Sequence, residues 1–360
     1  MNPNPLLGVI FHWLGGFASA SFYVPYKRIR LWSWEIFWLT GGIFSWVIAP
    51  WIGAAIGTKD LFGVLGHTDP KIILGCIGYG ALWGMGGLTF GLTMRYLGLS
   101  LGMAVALGLT TVIGTLGPPM VTGHLGEIAA KPGSLYTFIG IAVVLVAIVV
   151  VALAGHRKEA ELPGGKTGVS EFNLTKGLLI AVFCGVMSSF FAFGLDFGTP
   201  IKEASLKAGT GQLWGGLPVI CVVLIGGFAT NLVWSGYLIL KNGSASEWLG
   251  KPRAAAEPEV KAERIPLAPN YLLAALGGVL WYFQFFFYTM GESQMGKFGF
   301  SSWTLHMGSI ILFSTLWGFA LSEWKGTSAK TKGLVILGIL ALVASTLIIG
   351  YGNYIASKAG

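Results

Sequence analysis

Apolar runs of about 20 residues recur from one end of this chain to the other. A helix of that length crosses the ~30 Å hydrocarbon core of a bilayer. Inside that core the backbone must satisfy its own hydrogen bonds, which leaves helices or closed barrels. Ten such runs are read, at about 6–24, 35–56, 72–94, 99–121, 135–153, 177–197, 213–240, 271–291, 302–321 and 333–352. Charged residues make up only 11% of the chain and hydrophobic residues 54%, with mean hydropathy +0.71. A soluble domain carries about 25% charge. The pattern predicts an all-α polytopic membrane protein with ten transmembrane helices and excludes a soluble globule. The opening MNPNP has no basic segment, so the first run is expected to stay as a span and not be cleaved as a signal.

The formal net charge of +8 does not point to nucleic acid, because the basic residues are scattered between the apolar runs. Of the 23 Lys and Arg, 16 fall in the loops after spans 1, 3, 5, 7 and 9. The positive-inside rule places those loops in the cytoplasm and both termini outside. The longest polar stretches are 154–175, read as a cytoplasmic linker, and a loop at 241–269. They divide the chain into a first five-helix unit, 1–153, and a second, 176–360. The units echo each other. Gly80-Ala-Leu-Trp83 in span 3 matches Gly278-Val-Leu-Trp281 in span 8, and Gly108 with Thr115-Leu116 matches Gly308 with Thr315-Leu316. Five is an odd number, so a repeated five-helix unit must insert upside down. Such 5+5 inverted repeats build secondary transporters, with the substrate near the midplane between the halves.

Enzymatic signatures are missing. GlyGlyLysThr at 164–167 resembles a phosphate loop, but the motif needs glycine at position 160, which is Ala160. There is no HExxH. Cys76, Cys184 and Cys221 are too far apart for a metal motif and are read as packing residues. No enzyme, no metal and no cofactor is expected, apart from a proton as coupling ion.

Polar residues inside spans are costly, so each is a candidate. His12 lies mid-span in span 1, and imidazole titrates near neutral pH. Glu35 opens span 2, where it is either an interfacial ion pair or a proton-coupling carboxylate. Arg95 ends span 3, either snorkelling or pairing at a gate. Asn231 in span 7 is either a bond between helices or a hydroxyl ligand. Span 8 is the most informative: Trp281-Tyr-Phe-Gln284-Phe-Phe-Phe-Tyr288. Trp281, Gln284 and Tyr288 fall on one helical face. Aromatic faces cover the C–H face of a pyranose while an amide bonds its hydroxyls. Span 9 adds Trp303 and His306, and span 3 adds Trp83. Trp281, Gln284, Tyr288, His306, Trp83 and Asn231 are therefore the candidate sugar ligands. Glu35 and His12 are the candidate proton carriers, with His306 third. Pro118-Pro119 is expected to break span 4. The glycine row Gly80, Gly84, Gly87, Gly91 is expected to admit a neighbouring helix.

Several strings resemble the L-rhamnose/proton symporter family of the drug/metabolite transporter superfamily. They are Trp32-Ser-Trp-Glu35, Gly91-Leu-Thr-Met-Arg-Tyr-Leu-Gly98, Gly114-Thr-Leu116, Glu171-Phe-Asn-Leu174, Gly277 through Tyr288, Leu305-His-Met307 and Glu323-Trp324. They run in order over nearly the whole chain. The resemblance implies ten helices, a bacterial inner-membrane location, and proton-coupled uptake of L-rhamnose, with L-lyxose as a further substrate. Asp196 stands where the family pattern has an uncharged amide, and no family role is carried onto it. The alternative is an exporter or exchanger of another metabolite in the same superfamily. The expected partners are a small sugar and the lipid bilayer, without nucleic acid.

Overall fold

The structure, a computed structural model, describes residues 3–97, 99–161, 173–251, 264–322 and 324–358. Among the described residues the regular structure is all helical, with no strand. The principal helices are α1 Pro5–Tyr26 and α2 Trp34–Gly57, α3 Pro70–Leu97, α4 Leu99–Val121, α5 Ser134–Glu161, α6 Leu174–Phe197, α7 Leu217–Asn242, α8 Leu267–Gln294, α9 Ser302–Ala320 and α10 Ala329–Lys358. Among the described residues, eight of these hold stretches long and apolar enough to cross a membrane. The two others are α4, whose apolar stretch is the shorter Val105–Val121, and α9. Buried Ser302, Thr304, His306, Ser309 and Thr315 lower the hydropathy of α9. A helix enclosed by other helices can carry such groups, whereas a lipid-facing one cannot. Ten spans were expected, and eight of them meet the criterion of length and hydropathy.

The surface confirms a lipid solvent. Leu240 is 84% exposed and Ile56 82%, while His12 is wholly buried. Large apolar side chains cover the outer faces of the helices as well as filling the interior, while polar groups such as His12 are drawn inside. The pairing of helices has an internal regularity. α1 packs on α8 and α9, and α6 packs on α3 and α4. α2 packs on α8, and α7 on α3. α4 contacts α5 as α9 contacts α10, and α3 contacts α4 as α8 contacts α9. Advancing every label by five carries this set onto itself. The pairs α2–α7, α4–α9 and α5–α10 are their own images.

The glycine row of α3 does its expected work in part. Gly80 and Gly84 press on Val223, Gly226, Gly227 and Thr230 of α7, whereas Gly87 faces open space. The expected break at Pro118-Pro119 does not occur. α4 runs through both to Val121, and the Thr122 N–H still donates to the Pro118 carbonyl at 3.0 Å. These prolines sit in the last turn, so the two backbone bonds they forfeit, to the carbonyls four residues back, fall at the end of the helix and do not interrupt its length. α2 is irregular instead, with a π-helical segment at Ile43–Ile48 just before Pro50.

The linker begins later than the hydropathy pattern indicates. α5 continues eight residues past 153, because AGHRKEAE contains good helix formers. That polar extension docks α10. The Glu161 carboxylate accepts from the Ser328 N–H at 2.6 Å and from the Thr331 and Ser328 hydroxyls at 2.7 Å. It thereby sits at the positive end of the α10 dipole. Hydrogen bonds from Thr331 and then Ser328 hold its carboxyl below the ordinary carboxylate range. The remainder of the linker, 162–172, and residues 252–263 of the long loop lie outside the described residues, as does the Arg95 side chain.

Candidate functional site

One face of α1 carries Gly8, His12, Gly15, Gly16 and Ser19, all buried. Their spacing of three and four residues makes a stripe of small and polar groups. α8 and α9 close over that stripe. His12 meets Tyr288 of α8 with ring centroids 5.5 Å apart and His306 of α9 at 6.3 Å. Tyr288 and His306 stand 5.3 Å apart, so the three rings form a triangle. Trp303 packs against Tyr288 at 5.9 Å, and its indole N–H donates to the Thr110 carbonyl of α4 at 3.0 Å. One hydroxyl ties the two histidines together. Ser309 Oγ lies 2.8 Å from the His12 carbonyl oxygen and 2.7 Å from that of His306.

The polar atoms of this cluster are the unusual feature. His12 and His306 are 0% and 1% exposed, and all of their ring nitrogens lack a hydrogen-bond partner. Gln284, one turn before Tyr288, accepts from the Ser19 hydroxyl at 3.0 Å, but its Nε2 is buried and unpartnered. Leaving such a group unpaired costs about 1–3 kcal/mol. Buried polar groups in native structures are as a rule hydrogen-bonded. A gathering of orphans at one place is therefore a site prepared for a hydrogen-bonding guest. Between these groups the helices leave bare backbone. A Cβ on Gly291 would lie 2.8 Å from the His12 ring, and one on Gly15 would lie 3.2 Å from that of His306. Small residues at both positions are the condition for holding the imidazoles edge to edge.

The family described as L-rhamnose-proton symport protein (RhaT) matches residues 1–355. The chain belongs to that family. An L-rhamnose-proton symporter of Mannheimia succiniciproducens is 37% identical over 353 residues, covering 98% of this chain and 99% of its own. Proteins of the same description from Cronobacter sakazakii and Salmonella gallinarum are 35% identical over 347 residues, 96% of this chain and 97% of theirs. The family is one of transporters and not of enzymes, as the missing catalytic signatures implied.

The residues singled out in the sequence fall into three places. His12, Gln284, Tyr288 and His306 make the cluster just described. Trp83 joins its edge through Phe285 at 5.6 Å and Phe191 at 4.9 Å. Trp281 stands a turn further along α8, against Phe22 at 4.4 Å and Trp38 at 6.4 Å. Asn231 reaches that region only through Trp38, whose indole N–H donates to its Oδ1 at 3.0 Å. Its own Nδ2 donates to the Gly227 carbonyl at 2.8 Å. Both ends of the amide are thus engaged between α2 and α7, the pattern of a helix–helix bond.

Glu35 lies apart, at the opposite end of the bundle. Its Oε1 accepts from the Asn242 side-chain N–H and from the Ser244 hydroxyl, each at 2.9 Å. Around it the 27–35 turn is bolted to the 244–249 turn and the start of α8. Trp32 donates to the Glu247 carbonyl at 3.0 Å, the Ser33 N–H donates to the Glu247 carboxylate at 2.6 Å, and Asn270 exchanges two bonds with Arg30. The other end is held by Lys202 and Glu292 at 2.6 Å, and by Gln294 accepting from the Asn4 N–H at 3.1 Å. The cluster lies nearer this second end. Tyr288 is six residues from the end of α8, about 9 Å along its axis.

Sequence reasoning passed over Phe191, which is wholly buried and stacked on Phe285 at 4.4 Å. It also missed Ser19 and Ser309, and the Gly15 and Gly291 contacts. The α1 stripe of small and polar residues was a legible signal for the first.

Proposed function

We propose that this chain takes up L-rhamnose together with a proton by alternating access. The carrying observation is the orphaned polar set of His12, His306 and Gln284, enclosed by Tyr288 and Trp303, in a chain of the L-rhamnose-proton symport family. Hydroxyls of the sugar answer the unpaired nitrogens, and the aromatic rings cover its C–H face and its methyl group. Gln284, Tyr288 and His306 are the proposed inner ligands, with Trp83, Trp281 and Asn231 lining the route. His12 is the proposed proton carrier: unlike Glu35 it shares a cluster with the sugar ligands, and His306, the third candidate, is assigned to the sugar. L-Lyxose is the expected further substrate.

The two halves, 1–153 and 176–360, are proposed as inverted repeats, supported by helix pairings that persist when labels advance by five. In that arrangement the loops after α1, α3, α5, α7 and α9 face the cytoplasm of a bacterial inner membrane, and both termini lie outside. The bonded turns around Glu35 then seal the inner mouth, and Lys202–Glu292 bridges the outer one. Rocking the halves opens one while the other is closed.

L-Rhamnose added to lightly buffered, de-energised cells expressing the protein is expected to alkalinise the medium promptly. A protonophore should abolish the signal. No alkalinisation with folded protein in the membrane, alongside efflux of preloaded sugar, favours the exporter reading instead. The two proton candidates separate cleanly. Glu35→Gln is expected to slow uptake a few-fold, through a weakened inner seal, and to keep coupled alkalinisation. If alkalinisation disappears while sugar exchange continues, Glu35 is the carrier and the assignment to His12 falls.

A further inference from the structure

A cavity of about 400 Å³ opens at the end of the bundle held by Lys202 and Glu292. Small-molecule pockets run to roughly 300–1,000 Å³, so there is room for a sugar ring. One wall is the connection between α2 and α3, which holds the short helix Leu61–His67 and carries Asp60, His67 and Asp69. The other wall is the helix Thr199–Lys207 after α6, with Pro200, Ala204 and then Ala208. Val64 and Ile72 make an apolar floor between them. His67, Asp69 and Pro200 are exposed at the rim, so a solute enters from bulk water.

The polar wall presents acceptors. Each carboxylate spends one oxygen on nearby backbone. Asp60 Oδ1 accepts from the Gly63 N–H at 3.1 Å, and Asp69 Oδ1 from the Lys71 N–H at 2.8 Å. Those bonds fix the side chains and leave Oδ2 of each for a guest. His67 Nδ1 lies 2.7 Å from the Gly63 carbonyl oxygen, which can only accept, so Nε2 of the neutral ring is left as a further acceptor. Among the described residues no three His, Cys, Asp or Glu side chains are placed to hold a metal ion. Lys59 stands against Gly209, next to Ala208, and offsets part of the carboxylate charge. Acceptors above an apolar floor suit a neutral polyol. Its hydroxyls donate to the carboxylates in charge-assisted bonds, while its C–H and methyl groups rest on Val64, Ile72 and Ala204.

We propose that this cavity is an outer vestibule that captures L-rhamnose before the Lys202–Glu292 bridge opens. The proposal rests on the reading of the chain as a sugar transporter. The helix Thr199–Lys207 joins the vestibule to the bridge. Pro200, Ala204 and Ala208 recur every four residues and share the face that lines the cavity. Ile201 and Ser205, both 0% exposed, turn into the protein. Lys202 leaves on a third side to meet Glu292 at 2.6 Å. Just beyond this helix, the Lys59 N–H donates to the Thr210 hydroxyl at 2.9 Å and ties the two walls together. A guest between the walls therefore bears on the element that carries the bridging lysine. The small side chains of Ala204 and Ala208 keep the space open.

The test uses right-side-out and inside-out vesicles carrying the full chain, with labelled L-rhamnose as probe. Asp69→Asn removes a charge and keeps the cap on α3, since asparagine caps a helix as well as aspartate. It is expected to raise the apparent KM about tenfold from the Lys202 side, as the loss of one bond to a charged group implies. Ala204→Leu fills the cavity and alters no charge, and should raise that KM at least as much. From the Glu35 side the KM of both variants should stay within twofold, and that unchanged side itself reports a folded protein. Equal rises from both sides place the effect outside a one-sided vestibule and overturn the proposal, as does an unchanged KM from both sides in both variants. Absence of L-rhamnose flux in the parent protein is a different result, which overturns the transport reading and the vestibule with it.

Discussion

Glutamine in place of His12 is expected to abolish uphill accumulation of L-rhamnose while leaving sugar-for-sugar exchange within a few-fold of the parent protein. The expectation follows from where the imidazole sits. His12 is wholly buried, both its nitrogens are unpartnered, and it faces Tyr288 and His306. Glutamine retains a polar, hydrogen-bonding side chain of similar reach, but it cannot titrate. A carrier that cannot take a proton still shuttles sugar in both directions, and so equilibrates it.

The magnitude is large. One charge moved through 100 mV is worth about 2.3 kcal/mol, on the order of a fiftyfold concentration ratio. In the variant that ratio should fall to about one, and the alkalinisation on sugar addition should vanish. The pH dependence of the exchange rate should flatten too, a change that looser packing alone does not produce. The groups facing the imidazole from neighbouring helices are few. α9 presents His306, and two like charges at this separation oppose each other. α8 presents Tyr288, and the acids whose charge reaches that tyrosine are Glu292, paired with Lys202, and Asp196 of α6. α10 presents apolar Ile349 and Gly350 beside Val9. Full accumulation with normal alkalinisation in His12→Gln would move the proton elsewhere, and Asp196 and Glu292 would be the next groups to replace.

The membrane class could be read from run length alone, because a bilayer constrains each span independently of the rest of the fold. The span 8 string was legible for the same reason: Gln284 amid aromatic residues has no purpose facing lipid. What it could not convey is depth. Trp281, Gln284 and Tyr288 share a face in projection, yet Trp281 faces Trp38 while Tyr288 faces the histidines. A helical wheel discards the rise along the axis, and here that rise separates two environments. Asn231 shows a second limit. A mid-span amide reads alike whether it awaits a ligand or is already engaged, and only the position of Trp38 on α2 shows that its oxygen is taken. The π segment in α2 was hidden because span 2, read as 35–56, runs through Pro50, and hydropathy does not show how the helix accommodates the proline ring. The tie of Ser309 to both histidine carbonyls depends on α1 and α9 meeting across nearly 300 residues of chain, a distance no local pattern spans.

Leucine at Gly80 or at Gly278 is expected to remove folded protein from the membrane, and to do so equally. Under the proposed repeat these glycines correspond, and each marks a place where two helix backbones touch. A Cβ on Gly278 would collide with the Gly41 carbonyl oxygen and stand 3.0 Å from Phe44 Cβ. One on Gly80 would collide with the Val223 carbonyl oxygen and stand 3.2 Å from Gly226 Cα. Backbone cannot rotate aside as a flexible side chain can, so the helices must separate. Without a hydrophobic force between helices in lipid, that close packing is much of what joins them. Overpacking costs about 1–3 kcal/mol for modest insertions, and total stabilities are only about 5–15 kcal/mol. Alanine at either position should lower the melting temperature of the detergent-solubilised protein by several degrees. Leucine should leave no monodisperse species on size-exclusion chromatography. Gly87→Leu is the internal control, since nothing lies within 4 Å of a Cβ there, and it should melt with the parent protein. A parental melting temperature for Gly278→Leu would remove the backbone contact between α2 and α8. Intolerance at one of the two positions but not the other would count against the repeat, because inverted halves must place equal demands on corresponding crossings.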